Sequence, residues 1–230
     1  MKTYTTLTTL LLGAVCALSA KAQEATPGHC FSLREGWFVE AGLDMTVLNP
    51  YNKDFGETFT KGRSEGISGA FGKRFSPEVA LRFRMNWENG LPIFRNKKLE
   101  WIPPVDPANG YLSTNMDEGG ALFLYMDVPV SLPNLLSHYR PERRWDVLLT
   151  PRAGLGSNVG LGSWSPYVGL GCGFTYDLTR RVGLYADLTY AGITSEFVSG
   201  VPGAGTGMSV STGFNGIISL HAGVRVNLGK

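Results

Sequence analysis

The chain has 230 residues, with 21 lysines and arginines against 19 aspartates and glutamates. Because these charges nearly cancel, the chain lacks the strong positive field with which proteins attract nucleic acids, and we expect no nucleic-acid partner. No run of 18 or more apolar residues follows the amino-terminal region, so the sequence also argues against a membrane-spanning helix.

The amino terminus has the pattern of a secretory signal peptide. Lys2 precedes a short apolar run at residues 10–18, and Ala20 and Ala22 form an A-x-A cleavage site. We predict that residues 1–22 are removed, that residues 23–35 form a periplasmic leader, and that residues 36–230 form the folded domain.

Two cysteines remain after this cleavage, Cys30 and Cys172. An oxidising compartment allows them to pair but does not require it.

The rest of the chain contains eight segments in which apolar and other residues alternate, which is the period of a β-strand with two unlike faces. Each is about ten residues long, the length that a tilted strand needs to cross a bilayer. One face of each is apolar, and we expect the opposite face to be small, polar or charged throughout. The segments are Trp37–Val47, Glu65–Phe75, Val79–Trp87, Ala121–Val130, Asp146–Leu155, Tyr167–Asp177, Val182–Tyr190 and Ile217–Lys230.

The last segment indicates which face meets which medium. Its polar face carries His221, Arg225 and Asn227, which need water or partners, whereas the opposite face is wholly apolar. We therefore predict an all-β fold, an eight-stranded antiparallel up-and-down transmembrane β-barrel with the apolar faces toward lipid. A soluble lipocalin-like barrel is the alternative.

The inward faces of the predicted strands carry charges of both signs. An isolated charge in a closed interior costs several kcal/mol, so we expect these side chains to pair with one another. The predicted lumen charge network consists of Glu40, Asp44, Arg82, Arg84, Asp127, Asp146, Arg152, Asp187 and Arg225. Arg225 on the closing strand is predicted to pair with Glu40 or Asp44 on the first strand.

Connection lengths predict the orientation of the barrel. Long connections at residues 49–63, 88–119 and 192–215 alternate with tight turns at 76–77 and 179–180, as outer loops alternate with periplasmic turns in outer-membrane barrels. The short connection at 157–163 and the longer one at 131–144 depart from this rule. Aromatic residues near the strand ends fit interfacial girdles: Trp37, Trp87, Tyr176 and Tyr190.

The sequence resembles the small eight-stranded OmpA-like outer-membrane barrels, in particular those of the Bacteroidetes type. The motifs that carry the resemblance are A-K-A-Q at 20–23, F-S-P at 75–77, L-Y-M-D-V-P-V at 124–130, N-L-L through R-P-E-R-R-W-D-V at 134–147, R-A-G-L-G at 152–156, L-T-R-R-V-G-L-Y-A-D-L at 178–188 and the closing G-V-R-V-N-L-G-K. The resemblance implies a Gram-negative outer-membrane location and folding by the barrel assembly machinery. The chain departs from the family where the usual terminal aromatic residue is replaced by Leu228-Gly229-Lys230.

For function, the sequence favours a structural or surface-interaction protein. The connection at 88–119 holds a basic and aromatic set that could bind an anionic extracellular glycan or a host surface: Arg95, Lys97, Lys98, Trp101 and Tyr111. The other expected partner is outer-membrane lipid, and we expect a monomer.

Two other functions stay open on the sequence. The charged lumen could form a narrow gated channel, although an eight-stranded barrel is just filled by its side chains. A barrel-embedded lipid A modifying enzyme would need a nucleophile and a base, for which Ser219 and His221 are the best pair. We expect no enzyme, no cofactor and no metal, because no motif for one occurs.

Overall fold

The computed structural model describes residues 35–49, 63–94, 116–137, 139–140, 142–159, 162–194, 197 and 214–228. The predicted signal peptide, nearly all of the leader, Cys30 and the five candidate binding residues of the 88–119 connection lie outside these residues.

Within the described residues the chain forms nine strands and one short helix. Eight strands are long, and the ninth, β5, has only two residues. The elements are β1 (Trp37–Asn49), β2 (Arg63–Arg74), β3 (Ala80–Phe94), β4 (Met116–Asp127), β5 (Val130–Ser131), α1 (Leu132–Leu136), β6 (Trp145–Asn158), β7 (Ser163–Asp177), β8 (Val182–Thr194) and β9 (Phe214–Asn227).

The eight long strands close into a barrel. Each pairs antiparallel with its neighbour in sequence, β4 pairs with β6, and β1 pairs with β9. Closure between the first and last strands places Glu40 opposite Arg225 and Asp44 opposite His221. The predicted eight-stranded antiparallel barrel is therefore confirmed, since the first strand pairs with the last.

The segment from Pro129 to Arg144 differs from the predicted plain connection. The predicted fourth strand ends at Asp127, not at Val130, because Pro129 cannot donate a ladder hydrogen bond. Val130 and Ser131 then pair with β6 as β5, and Ser131 caps α1 by accepting a hydrogen bond from the Asn134 backbone N–H at 3.3 Å.

The third strand runs well past its predicted end at Trp87. Asn89, Gly90 and Pro92 look like a turn in the sequence, but β3 continues to Phe94 through an irregularity in its pairing with β4 between Glu88 and Leu91. Gly90 lies at this β-bulge with a φ of +79°, a conformation that glycine adopts without strain. The predicted 88–119 connection was therefore too long, and Glu88 belongs to the barrel.

Glycines on the inward face let strands and side chains approach closely. A Cβ on Gly154 of β6 would lie 2.1 Å from the Leu124 carbonyl oxygen and 2.5 Å from the Tyr125 Cα. Gly69 of β2, by contrast, faces outward and has no such neighbour within 4 Å. The wall between β4 and β6 therefore requires glycine at position 154, whereas position 69 tolerates a side chain.

We predict that Gly154→Val disrupts the barrel and Gly69→Val does not. The added side chain at 154 collides with backbone atoms, which should cost about 3 kcal/mol, the upper end of usual overpacking penalties. Heat-modifiable gel mobility after refolding into liposomes measures the folded fraction. Equal folded fractions for the two variants would contradict the described contact between β4 and β6.

Candidate functional site

The central feature of the lumen is an ionic cluster around Arg82 of β3. Its Nε and Nη2 donate to the two carboxylate oxygens of Asp127 at 2.8 and 2.7 Å, a bidentate arrangement. Nη1 donates to Glu40 at 2.9 Å, and Nη2 also donates to Asp187 at 2.7 Å. One guanidinium thus joins carboxylates from β1, β4 and β8, and all four side chains are buried.

Glu40 is the point where three arginines converge. Besides Arg82, it accepts a hydrogen bond from Arg84 Nη2 at 2.6 Å and from Arg225 Nε at 2.8 Å. The Arg225 guanidinium also lies over the Phe38 ring, 4.7 Å from its centroid. The predicted pairing of Arg225 with the first strand therefore occurs at Glu40, which links β1, β3 and β9.

Arg152 of β6 joins the cluster from the strand on the far side of β4. Its Nη2 lies 3.6 Å from Asp127 and 3.7 Å from Asp187, and Nη1 donates to the Tyr125 hydroxyl at 3.3 Å. The guanidinium also packs over the Tyr125 ring at 5.1 Å. In this cluster four arginines share three carboxylates, so its own charge is positive.

Asp44 lies beside the cluster and contacts a histidine and a serine. The distance from its Oδ1 to His221 Nδ1 is 2.7 Å, and Ser68 donates to the same oxygen at 2.8 Å. His221 Nε2 faces Arg152 Nη1 at 3.5 Å, and because arginine can only donate, this geometry places the imidazole proton on Nδ1. With Asp44 included, four carboxylates balance the four arginines in this part of the lumen.

Glu88 is a buried lumen carboxylate that the sequence-based prediction assigned to a connection. It accepts hydrogen bonds from Thr46 and Ser64 at 2.7 and 2.5 Å, and Thr46 is bonded in turn to Ser219 at 2.7 Å. The signal for it was the continuation of the inward row Arg82, Arg84, Asn86 by one more step of two. The apparent turn that follows Glu88 concealed that signal.

Asp146 does not belong to the central cluster, contrary to the prediction. It accepts a hydrogen bond from Ser131 at 2.6 Å and lines a cavity of about 10 Å³ together with Arg74 and Glu78. The reason is its register: Asp146 is the second residue of β6 and lies near one end of the barrel, whereas Arg152 lies six residues deeper.

The expectation that every inward row is small, polar or charged is wrong at the opposite end of the lumen. There an apolar layer covers the polar interior, formed by Ala121, Phe123, Tyr125, Tyr167, Ala191, Ile193, Phe197 and Ile217. Phe197 comes from the connection after β8, is fully buried, and its ring lies 5.4 Å from that of Phe123. Its carbonyl accepts a hydrogen bond from Asn158 at 3.0 Å.

The best catalytic pair that the sequence offered is not assembled within the described residues. The hydroxyl of Ser219 is bonded to Thr46, and the ring nitrogens of His221 lie within 3.5 Å of polar atoms of Asp44, Asn86 and Arg152. No group of three or more histidine, cysteine or acidic side chains in the described part of the chain is placed to hold a metal ion.

The outer surface of the barrel is apolar, whereas the centre of the lumen is charged. Large apolar side chains project outward from every long strand with described side chains, among them Leu43, Met85, Leu170 and Leu188, each more than half exposed. Arginines and carboxylates fill the inside, whereas leucine, methionine and phenylalanine cover the outside. A continuous apolar belt around a closed polar interior is stable only in hydrocarbon. The chain is an outer-membrane β-barrel.

Aromatic residues face outward on both sides of the belt, but Trp87 lies at the middle of β3 and not near a strand end as predicted, because β3 continues to Phe94. Trp87 and Tyr190 face outward toward the long connections, while Tyr176 and Trp37 face outward toward the short turns. The ring of Trp37 stacks on Phe71 at 4.9 Å. The short turns share one end of the barrel, which is the end that we expect to face the periplasm.

Comparison with known proteins gives structural neighbours of the same kind but no sequence family. No family model matches the chain and no curated protein matches it in sequence, so nothing supports the Bacteroidetes type. Neisserial surface protein A aligns at 16% identity over 84% of this chain and 97% of its own, with a TM-score of 0.47.

Two other solved barrels show similar values. OprG of Pseudomonas aeruginosa aligns at 8% identity over 88% of this chain and 99% of its own, with a TM-score of 0.46. Ail, the attachment invasion locus protein of Yersinia pestis, aligns at 11% identity over 83% and 99%, with a TM-score of 0.42. At these identities and TM-scores the likenesses carry no information on function.

We predict that Leu188→Arg distinguishes lipid from water as the medium around the belt. A surface leucine of a soluble protein can be replaced within about 0.5 kcal/mol, whereas arginine at the bilayer midplane costs about 2–4 kcal/mol. The free energy of unfolding in liposomes, from reversible denaturant titration, measures the difference. The control is Leu136→Arg, since Leu136 of α1 is 82% exposed and lies beyond the belt; equal effects would contradict the lipid assignment.

We also predict that Arg82→Gln lowers the free energy of unfolding by about 3–5 kcal/mol. The substitution leaves Asp127 without its bidentate partner, and breaking a buried pair by removing one member is strongly destabilising. The matched control is Arg63→Gln, whose exposed ion pair with Glu65 at 3.5 Å should contribute about 0–1 kcal/mol. Similar losses for both variants would show that burial of the cluster adds nothing.

Proposed function

We propose that this outer-membrane barrel is a structural or surface-interaction protein whose extracellular connections, rather than its lumen, carry its role. The observation that supports this is the double obstruction of the lumen. The ionic cluster around Arg82 crosses the barrel, and the apolar layer with Phe197 covers its extracellular end. A solute would have to break several short ion pairs and displace a buried aromatic ring.

The proposed interaction surface lies in the connection between β3 and β4. Its basic and aromatic residues, Arg95, Lys97, Lys98, Trp101 and Tyr111, suit an anionic glycan, because cations bind the acid groups and aromatic rings stack on sugars. This connection leaves the barrel at the extracellular end, where a host surface or a glycan would be met. We further propose a monomer, an OmpA-like kinship and insertion by the barrel assembly machinery.

A narrow gated channel is the second candidate, and one observation favours it. Within the described part of the lumen several buried polar atoms have no hydrogen bond from the protein, including Asp44 Oδ2, Asn86 Oδ1 and Arg84 Nε. Such atoms could bind water or an ion if the cluster rearranged. We propose no catalytic role, since the Ser219 hydroxyl is engaged by Thr46.

We predict that the wild-type protein, refolded and inserted into planar bilayers, gives no sustained ionic conductance. The short ion pairs around Arg82 hold the lumen closed. Sustained openings in the wild type that change on Arg84→Ala would favour the channel and contradict closure.

We predict that replacing Arg95, Lys97 and Lys98 by glutamine lowers binding to sulfated glycan arrays at least tenfold without altering the barrel. These three residues are all of the lysines and arginines of this connection, and electrostatic binding falls with each cation lost. Binding of the purified protein in nanodiscs is measured at two salt concentrations, with Arg63→Gln as a barrel-rim control. Unchanged binding, or none by the wild type, would argue against this surface.

A further inference from the structure

A groove at the periplasmic rim is lined by the residues before β6 and by the turn between β7 and β8. It has a volume of about 500 Å³ and is open to solvent. We call it the rim groove, and its lining residues are Glu142, Arg143, Arg144, Asp177, Leu178, Thr179 and Arg180. It lies at the end of the barrel opposite the extracellular connections, so its role is separate from the surface proposed above.

The two sides of the rim groove are fixed to each other and to the barrel. The Asp177 backbone N–H donates to the Arg144 carbonyl at 2.6 Å. In the turn, the Thr179 hydroxyl accepts from the backbone N–H groups of Arg181 and Val182 at 3.2 and 3.0 Å. A groove built from bonded backbone on two strands keeps its shape without a ligand.

One arginine of the groove is held in place by neighbouring side chains. Arg143 Nη1 donates to Asn134 Oδ1 at 3.2 Å, Nη2 donates to Ser137 at 3.4 Å, and the guanidinium lies over the Trp145 ring at 5.5 Å. Arg144 and Arg180 are exposed, and neither forms an ion pair with another described residue. The groove thus presents one fixed and two uncommitted guanidinium groups.

The charge of the rim groove and its surroundings is positive. Glu142 and Asp177 offset two of its arginines, but Arg140 and Arg181 lie exposed next to it. Guanidinium groups bind phosphate oxygens in bidentate fashion, because the geometry of their planar N–H donors matches that of the phosphate oxygens. A positive groove with exposed arginines therefore suits a phosphate group.

The position of the rim groove indicates that a phosphate bound there would belong to a lipid headgroup. Trp145, Tyr176 and Leu178 project outward beside it and are between 39% and 48% exposed, so the groove adjoins the periplasmic edge of the apolar belt. Interfacial tryptophan and tyrosine lie at the level of lipid headgroups. A phosphate bound in the groove would therefore sit where the headgroups of the inner leaflet lie.

We propose that the rim groove binds the phosphate of an anionic glycerophospholipid in the periplasmic leaflet. Arg144 and Arg180 contact the phosphate, Arg143 and Thr179 support it, and the acyl chains lie along the belt beside Trp145 and Leu178. The site holds the barrel at a defined depth and rotation relative to the inner leaflet.

The test measures retained lipid by native mass spectrometry after release of the protein from detergent micelles. Wild-type protein should retain phosphatidylglycerol at least about fivefold more than phosphatidylcholine with the same acyl chains, since each arginine near an anionic surface contributes to binding. Arg144→Gln combined with Arg180→Gln should abolish this preference, whereas Arg63→Gln at the other end of the barrel should keep it.

Three results would overturn the proposal. Equal retention of the two lipids by the wild type would show that the groove does not select an anionic headgroup, whatever the variants do. An undiminished preference in the double variant, checked for folding by heat-modifiable mobility, would place the lipid elsewhere. Displacement of the lipid by millimolar inorganic phosphate would identify free phosphate as the ligand.

If the double glutamine variant does not fold, the variant with Arg144→Lys and Arg180→Lys replaces it. This variant should retain part of the preference for phosphatidylglycerol.

Discussion

The need to pair the arginines and carboxylates at the centre of a closed lumen is the constraint on which the rest of this structure depends. Arg82 meets that need by contacting three carboxylates from three strands, with all distances below 3 Å. An unpaired charge there would cost several kcal/mol, so the cluster is satisfied only when β1, β3, β4 and β8 stand in one register. A slip of one residue in any of these strands would turn its charged side chain into the lipid. The ion pairs therefore specify the register as much as they contribute stability.

The same constraint explains why the two ends of the lumen have different residues. Toward the periplasm the barrel ends in Arg74 and Asp146, near the water of the rim, whereas toward the extracellular end Phe123, Tyr167 and Phe197 form an apolar layer. Such a layer shields the ionic cluster from solvent and so strengthens its electrostatic interactions. The lumen is therefore filled by ion pairs at its centre and covered by apolar side chains at one end. This division of roles underlies the proposal that function resides outside the lumen.

Periodicity alone predicted the fold because lipid and lumen are such different media. Eight alternating segments, their apolar faces and the pairing of Arg225 with the first strand follow from the sequence. The end of β3 could not be predicted, since a β-bulge at Gly90 and a turn have the same residue signature. The consequence was that Glu88 was assigned to a connection and not to the lumen.

Two other features needed three-dimensional contacts. Asp146 has the inward direction that alternation predicts, but only the axial position along β6 separates it from the cluster that Arg152 joins. Phe197 lies in a segment without strand periodicity, and its burial depends on a socket made by residues from β4, β7, β8 and β9. Whether a side chain faces the lumen or the lipid can be predicted from the sequence. Its position along the barrel axis and its contacts with residues distant in sequence cannot.

The inside-out arrangement of the barrel can be tested directly at Cys172. This side chain is exposed on the outer face of β7, opposite Leu149 and Leu188 in the neighbouring strands. A nitroxide label on Cys172, in a Cys30→Ser background refolded into liposomes, reports collision rates with oxygen and with a water-soluble nickel chelate. We expect high oxygen and low nickel accessibility, the signature of the hydrocarbon interior. Greater accessibility to nickel than to oxygen would contradict the assignment of the apolar belt to lipid.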